Sequence, residues 1–239
     1  MNKPALLLLP NLLGDHRHHE PFLPASIEKA MLTIDGLICE SEKAGRRYLS
    51  RFTTKKPSLD MPIAVYNEHT SDADIDFFLE PIRNGERWGF ISDAGLPCVA
   101  DPGAKIVQRA RQSGIVVQAF VGPSSILLAL MQSGLSGQRF TFQGYLKADE
   151  AGRIKDIKRL ESLSRAENST QIFMEAPYRN MHMLQNLLNT LDERTWLCVA
   201  WDLTMPGQGI ISEPIQRWKK MPLPNLEKKP AIFLIQVSH

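Results

Sequence analysis

Near its start the chain carries Leu6-Leu7-Leu8-Leu9, an apolar run with no polar alternation. A strand with one wet face alternates with a period of two, so this run predicts a strand covered on both faces, as in a parallel sheet between helices. The pattern recurs. Short apolar runs predict strands over 5–9, 36–39, 63–65, 88–91 and 115–119. Amphipathic stretches of helical length fall between and after them, over 24–33, 43–52, 72–83, 104–113 and 124–132. Strands alternating with helices define an α/β architecture.

A turn-rich stretch, Ser133-Gly134-Leu135-Ser136-Gly137, closes this half, and the expected domain boundary lies there, between 1–136 and 137–239. Strands follow over 139–143, 170–174, 195–201, 209–212 and 231–237, with helices over 151–163 and 178–191. The last strands have no helix of length between them and read as antiparallel. The expected fold class is therefore two α/β domains, the N-terminal one with a mainly parallel sheet and the smaller C-terminal one with a mixed sheet. A length of 239 residues accommodates both.

Composition narrows the function classes. A net charge of +2 does not demand a polyanionic partner. Cys39, Cys98 and Cys198 are odd in number and far apart, which argues against a disulfide framework or a zinc knuckle and fits a reducing cytoplasm. No apolar run approaches the roughly 20 residues that span a bilayer, so no membrane partner is expected. Residues 5–13 behind Lys3 have the look of a signal-peptide core. Gly14-Asp15-His16-Arg17-His18-His19-Glu20 follows without a small-residue cleavage site, so a buried strand running into a loop is the better reading. The histidines of that loop, with Asp15 and Glu20, are metal-ligating types. Nothing in their spacing fixes a geometry, so the loop reads as mobile and solvated, and no metal is expected.

Two strand-end loops carry the chemistry. Ile91-Ser92-Asp93-Ala94-Gly95-Leu96-Pro97-Cys98-Val99-Ala100-Asp101-Pro102-Gly103 begins at the carboxyl end of a predicted strand, where open α/β sheets bind ligands. Gly95 allows a turn or a close backbone approach, and Asp101 is positioned to cap the next helix. Phe120-Val121-Gly122-Pro123-Ser124-Ser125-Ile126 likewise follows a strand and opens a helix, offering amides and hydroxyls to a polar group. Neither G-x-G-x-x-G nor G-x-x-x-x-G-K-[ST] occurs, which argues against a dinucleotide or P-loop nucleotide site.

These segments resemble the tetrapyrrole methylase superfamily. Ser92-Asp93-Ala94-Gly95-x-Pro97 with Asp101-Pro102-Gly103 is similar to its S-D-A-G-x-P-x-x-x-D-P-G. Gly122-Pro123-Ser124 resembles its G-P-S, Ser133-Gly134-Leu135 its S-G-L, and Pro10-Asn11-Leu12-Leu13-Gly14-Asp15 its first-strand loop. Within the superfamily, Phe142-Gln143-Gly144-Tyr145-Leu146, Glu175-Ala176-Pro177-Tyr178-Arg179 and Asn67-Glu68-His69 resemble F-x-G-F-L, E-S-P-H-R and H-E-H of the branch that methylates ribose 2′-hydroxyls of small-subunit ribosomal RNA. The chain departs from that branch at Glu40-Ser41-Glu42-Lys43, at Ala200-Trp201-Asp202-Leu203-Thr204-Met205 and at Lys229-Pro230.

The resemblance implies S-adenosylmethionine held in a cleft between two domains. Its implied contacts are Leu12, Gly14, Asp93, Gly95, Leu96, Ser124, Ser125 and Ile126 from the first domain, and Met174, Ala200 and Pro230 from the second. Methyl transfer from a sulfonium is an in-line displacement, so the protein chiefly aligns acceptor and methyl carbon. A ribose hydroxyl must also lose its proton, for which Glu40, Glu68, His69 and Glu175 are the candidates. Arg46-Arg47, Lys55-Lys56 and the stretch from Arg153 to Arg159 are either RNA-backbone contacts or wet helix faces. Tyr178 and Arg179 open a helix, where Arg179 either meets a phosphate or is simply exposed. Met181 and Met183 read as packing. The acceptor stays open between RNA ribose, a tetrapyrrole or other small molecule, and protein. A cofactor-binding protein without turnover is the alternative of another class. Methylases of this family are generally dimers, which makes a homodimer the expectation.

Overall fold

The computed structural model describes residues 3–67 and 70–237. Two compact units divide the chain at Ser124/Ser125.

The first unit holds a parallel sheet. Its strands are β1 (Ala5–Leu8), β2 (Gly36–Cys39), β3 (Ile63–Val65), β4 (Arg87–Phe90) and β5 (Val116–Ala119), in the order β3-β2-β4-β1-β5. Helices α1 (Ala25–Met31), α2 (Glu42–Leu49), α3 (Asp72–Arg83) and α4 (Ala104–Gln112) connect them. The leucine run shows why both faces are apolar. Leu7 and Leu9 pack with Ile27 and Met31 of α1 and Tyr48 of α2. Leu6 packs on the other face with Ile75 and Leu79 of α3 and Ile106 of α4. The alternation that the composition conceals is thus between two helical layers, not between core and water.

The order of strands locates a crevice. From β1 the chain moves through α1 toward β2, whereas from β4 it moves through α4 toward β5, on the opposite face. Because β1 and β4 are neighbours, their outgoing connections diverge at their carboxyl ends, and that is where doubly wound sheets take ligands.

The second unit opens with α5 (Ser125–Ser133) and continues through β6 (Phe140–Tyr145), α6 (Glu150–Glu167), β7 (Thr170–Met174), α7 (Asn180–Thr190), β8 (Trp196–Trp201), β9 (Gly209–Pro214), α8 (Ile215–Trp218) and β10 (Ala231–Gln236). Its sheet is mixed, in the order β6-β7-β10-β8-β9. Only β6 and β7 are parallel; β10 runs antiparallel to both β7 and β8, and β8 antiparallel to β9, as the helix-poor tail implied. Phe173, Phe233, Leu197 and Val199 point to α6 and α7 and form one core with Ile157, Leu160, Leu184 and Leu187. Helix α5 packs against β8, β9 and β10.

That packing corrects the expected boundary. The unit begins ahead of α5, not behind it at the 133–137 turn, because α5 covers the second sheet. The turn itself is pinned to this unit: Ser136 N–H donates to Gln236 Oε1 at 2.7 Å, and Ser212 Oγ donates to the Ser133 carbonyl. Among the described residues no helix is long and apolar enough to cross a membrane.

Candidate active site

In the first unit three loops leave adjacent strands at one end of the sheet. The loop after β1 is stapled to the loop after β4 by Asn11, which is buried. Its Nδ2 donates to the carbonyls of Ser92 and Asp93, both at 3.0 Å, and its own N–H donates to the Gly95 carbonyl at 2.8 Å. From the next strand, Glu40 Oε1 accepts the Asp93 N–H at 3.1 Å. The backbone of Asp93 is therefore held on both sides, by Asn11 at its carbonyl and by Glu40 at its amide, while its side chain remains exposed.

The loop after β5 closes against both. A Cβ built on Gly122 would collide with the Pro10 ring and reach Leu96, and one built on Gly95 would lie 3.1 Å from Leu13. Gly122→Ala is expected to cost about 1–3 kcal/mol by overpacking. The check is chemical denaturation, which should show a lowered midpoint at unchanged slope.

The β4 loop is also strained. Gly95, Cys98, Ala100 and Gly103 all have positive φ, and two of them carry side chains. At Cys98 and Ala100 this conformation costs roughly 1 kcal/mol or more each, and such strain clusters at ligand sites. The expected helix cap is not made. Gly103 is the residue at the N-cap of α4, with no side-chain cap, and Asp101 hydrogen-bonds back to Ser92. The loop thereby gathers acidic groups at one place. Burial holds the carboxyl of Glu40 above its ordinary range, with the charges of Asp93 and Asp101 adding to it. Asp101 is raised for the same reasons, burial first and Asp93 after it.

The implied first-domain contacts Leu12, Gly14, Asp93, Gly95, Leu96 and Ser124 all fall on these three loops. Ser125 and Ile126 begin α5 in the second unit. There Met174 and Ala200 both pair with Ile232, on either side of β10, and Pro230 immediately precedes that strand. These three therefore gather at one end of the second sheet, although the Ala200 methyl is fully buried.

Glu175 follows β7 and is enclosed. Its Oε1 accepts from Ala176 N–H at 2.7 Å and from Arg179 Nε and Nη2 at 3.0 and 2.6 Å. Among the described residues its Oε2 has no hydrogen-bond partner, nor has the buried Oδ1 of Asn180. Glu68 and His69 lie outside the described residues.

Three expectations are corrected. Arg153 is buried, with Nε on Asn186 Oδ1 at 2.7 Å and Nη1 on the Ala148 carbonyl, so it is neither a phosphate contact nor a wet-face residue. Arg46 is likewise committed, to the carbonyls of Ser58 and Met61 at 2.7 Å each. His19 is buried against Glu28 at 2.7 Å and Phe52, which anchors a loop expected to be mobile and solvated. Met183 packs in the second core as expected, while Met181 is partly exposed and accepts the Leu226 N–H through its sulfur. Asn11 and the Glu175–Arg179 pair are what the sequence reading lacked; the pair's spacing of four residues was the available signal for it.

Residues 19–218 match the family of Tetrapyrrole (Corrin/Porphyrin) Methylases. Ribosomal RNA small subunit methyltransferase I of Thermotoga maritima is 30% identical over 200 residues, covering 82% of this chain and 85% of its own. The protein of that name from Haemophilus influenzae is 28% identical over 205 residues, covering 85% of this chain and 69% of its own. The crystal structure of uroporphyrin-III C-methyl transferase from Thermus thermophilus, complexed with S-adenyl homocysteine, shares the fold at a TM-score of 0.56 and 15% identity, covering 97% of each chain. The chain belongs to the tetrapyrrole methylase family. It is an S-adenosylmethionine-dependent methyltransferase.

The residues of the first unit suit that cofactor. S-adenosylmethionine carries a sulfonium and an ammonium, and the strand-end loops present the clustered carboxyls of Glu40, Asp93 and Asp101, with Glu40 and Asp101 raised by burial and then by the neighbouring carboxylates. Glycine at 95 and 122 lets the three loops pack directly on one another, since a Cβ there would press on Leu13 or Pro10.

Proposed function

We propose that the acceptor is a ribose 2′-hydroxyl of small-subunit ribosomal RNA. The observation that carries this reading is the partly buried Glu40 beside Asp93, a carboxyl made more basic by its surroundings and suited to take a hydroxyl proton. The name shared by the curated relatives supports RNA as the substrate class. S-adenosylmethionine supplies the methyl group as a sulfonium. Asp93 binds it, with the loops bearing Leu12, Gly14, Gly95, Leu96 and Ser124; Ser125, Ile126, Met174, Ala200 and Pro230 are the second unit's share. Glu40 removes the proton, one oxygen remaining for it while the other holds the Asp93 amide. Glu175, enclosed with Arg179, serves by fixing that guanidinium.

The protein is further proposed to be cytoplasmic and a homodimer. All three cysteines are free thiols, pushed by burial to about 11 at Cys39 and Cys98 and about 12 at Cys198, so they stay protonated. Leu127 and Met131 stand exposed four residues apart on α5, an apolar strip of the kind an interface covers.

The test pairs cofactor titration with transfer of labelled methyl to small ribosomal subunits. Asp93→Ala should weaken S-adenosylmethionine about ten- to a hundredfold, the loss of one or two hydrogen bonds to a charged group. Label should appear at a ribose of the RNA. Label found only in a small molecule or in protein would sink the RNA assignment.

A further inference from the structure

At the carboxyl ends of the parallel pair β6 and β7, the second unit presents two tyrosines to solvent. Tyr145 ends β6 and is paired in register with Met174, the last residue of β7. The register slips between Phe142 and Tyr145, and Gly144 has a φ of +70°, so a bulge turns the last residue of the strand outward. Tyr178 comes four residues after Met174, on a 3-10 turn opened by Pro177, whose fixed φ stiffens the approach. Tyr145 is 58% exposed and Tyr178 70%. Burial therefore accounts for neither ring.

Arg179 lies beside them. Its guanidinium carbon is 5.3 Å from the centroid of the Tyr178 ring. Two of its nitrogens are fixed to the enclosed Glu175, while Nη1 has no partner among the described residues. A carboxylate with no exposure thus holds the guanidinium in one orientation. It also neutralises it. A neutral pair is a poor anchor for a phosphate, since the phosphate would meet the Glu175 charge as well as that of Arg179. The guanidinium lies over one face of the Tyr178 ring and steadies it, and the ring's large exposure leaves its other face open to a neutral base.

We infer that Tyr178, Tyr145 and Arg179 form a stacking platform for an unpaired RNA base. The inference rests on the RNA reading above and adds the form in which the acceptor strand is held: single-stranded, gripped by base stacking. In a duplex each base face is already covered, so the platform selects loops or melted segments.

The experiment measures KM for small ribosomal subunits in methyl transfer, with S-adenosylmethionine affinity read alongside. A single-stranded RNA dodecamer and its duplex serve as competitors. Tyr178→Ala should raise KM about five- to a hundredfold, the range of one lost base–aromatic stack. Tyr178→Phe should behave as wild type, because the ring suffices, and Tyr145→Ala should show a smaller rise. Cofactor affinity should not move in any of them. The wild type should be inhibited at least tenfold better by the single strand than by the duplex, and Tyr178→Ala should lose that preference. Wild-type KM in both alanine variants, or equal inhibition by both competitors, overturns the platform while leaving the RNA reading intact. Failure of the wild type to methylate RNA at all removes that reading, and this one with it.

Discussion

Glu40→Gln is expected to lower kcat for RNA methylation by about 10²–10⁴-fold, the usual worth of a positioned general base, while S-adenosylmethionine affinity changes by less than about threefold. The two readouts separate because glutamine keeps a carbonyl oxygen where Glu40 Oε1 accepts the Asp93 N–H, so the cofactor loop is not released. Burial, and then the charges of Asp93 and Asp101, raise the Glu40 carboxyl. The acid limb of kcat/KM in the wild type should therefore lie above the ordinary glutamate range, with activity lost as pH falls through it. In the variant that limb should vanish. Stability should move the other way. A carboxyl whose pKa is higher folded than unfolded favours the folded state below its unfolded value, and this contribution fades as pH rises through the folded one. At pH 7 the wild type thus carries an ionised group that its surroundings disfavour. The variant should melt higher at pH 7, with the difference shrinking toward pH 4. A variant with full activity, or one that melts lower at pH 7, would remove Glu40 from the role of base.

How far the sequence went follows from the range of the interactions involved. Strands such as β2 and β7 have the limits that their apolar runs predict, because a strand buried on both faces writes its length into consecutive residues. Helix α6 runs past its expected end to Glu167, since the stop is Asn168 in a left-handed conformation, a weaker signal than glycine. The boundary was misread for a different reason. Leu127, Leu128, Leu130 and Met131 make α5 apolar nearly all round, and periodicity does not say which of two sheets such a helix covers. Of the site, the strand-end loops were legible because glycine and proline punctuate them, but what locks them together was not. Asn11 meets Ser92 across 81 residues of chain, and no local pattern reports a bond of that length. Arg153 misled in the same way: its spacing on α6 matched a wet face, and only the distant Asn186 explains its burial.

The other large effect is expected at Arg179. Replacing it by alanine leaves Glu175, whose side chain has no exposure, with a single donor, the Ala176 N–H. Breaking a buried ion pair from one side costs about 3–5 kcal/mol; the lower end applies because Arg179 is itself partly exposed and the pair is not wholly desolvated. The cost arises from the stranded carboxylate, not from a lost contact, and this distinction can be measured. Adding Glu175→Gln to Arg179→Ala should restore at least half of the lost stability, since a neutral amide still accepts the Ala176 N–H and no charge remains buried. Urea denaturation followed by tryptophan fluorescence reads the right unit, because Trp196, Trp201 and Trp218 lie in the second unit and only Trp88 in the first. If the double variant is as unstable as Arg179→Ala alone, the penalty comes from lost packing of the arginine stem. Glu175 would then not be the reason the guanidinium is there. If stability returns but KM for ribosomal subunits stays high, the pair is retained for its hold on the acceptor strand, and the unpaired Glu175 Oε2 is a cost the fold accepts to keep Arg179 in one orientation.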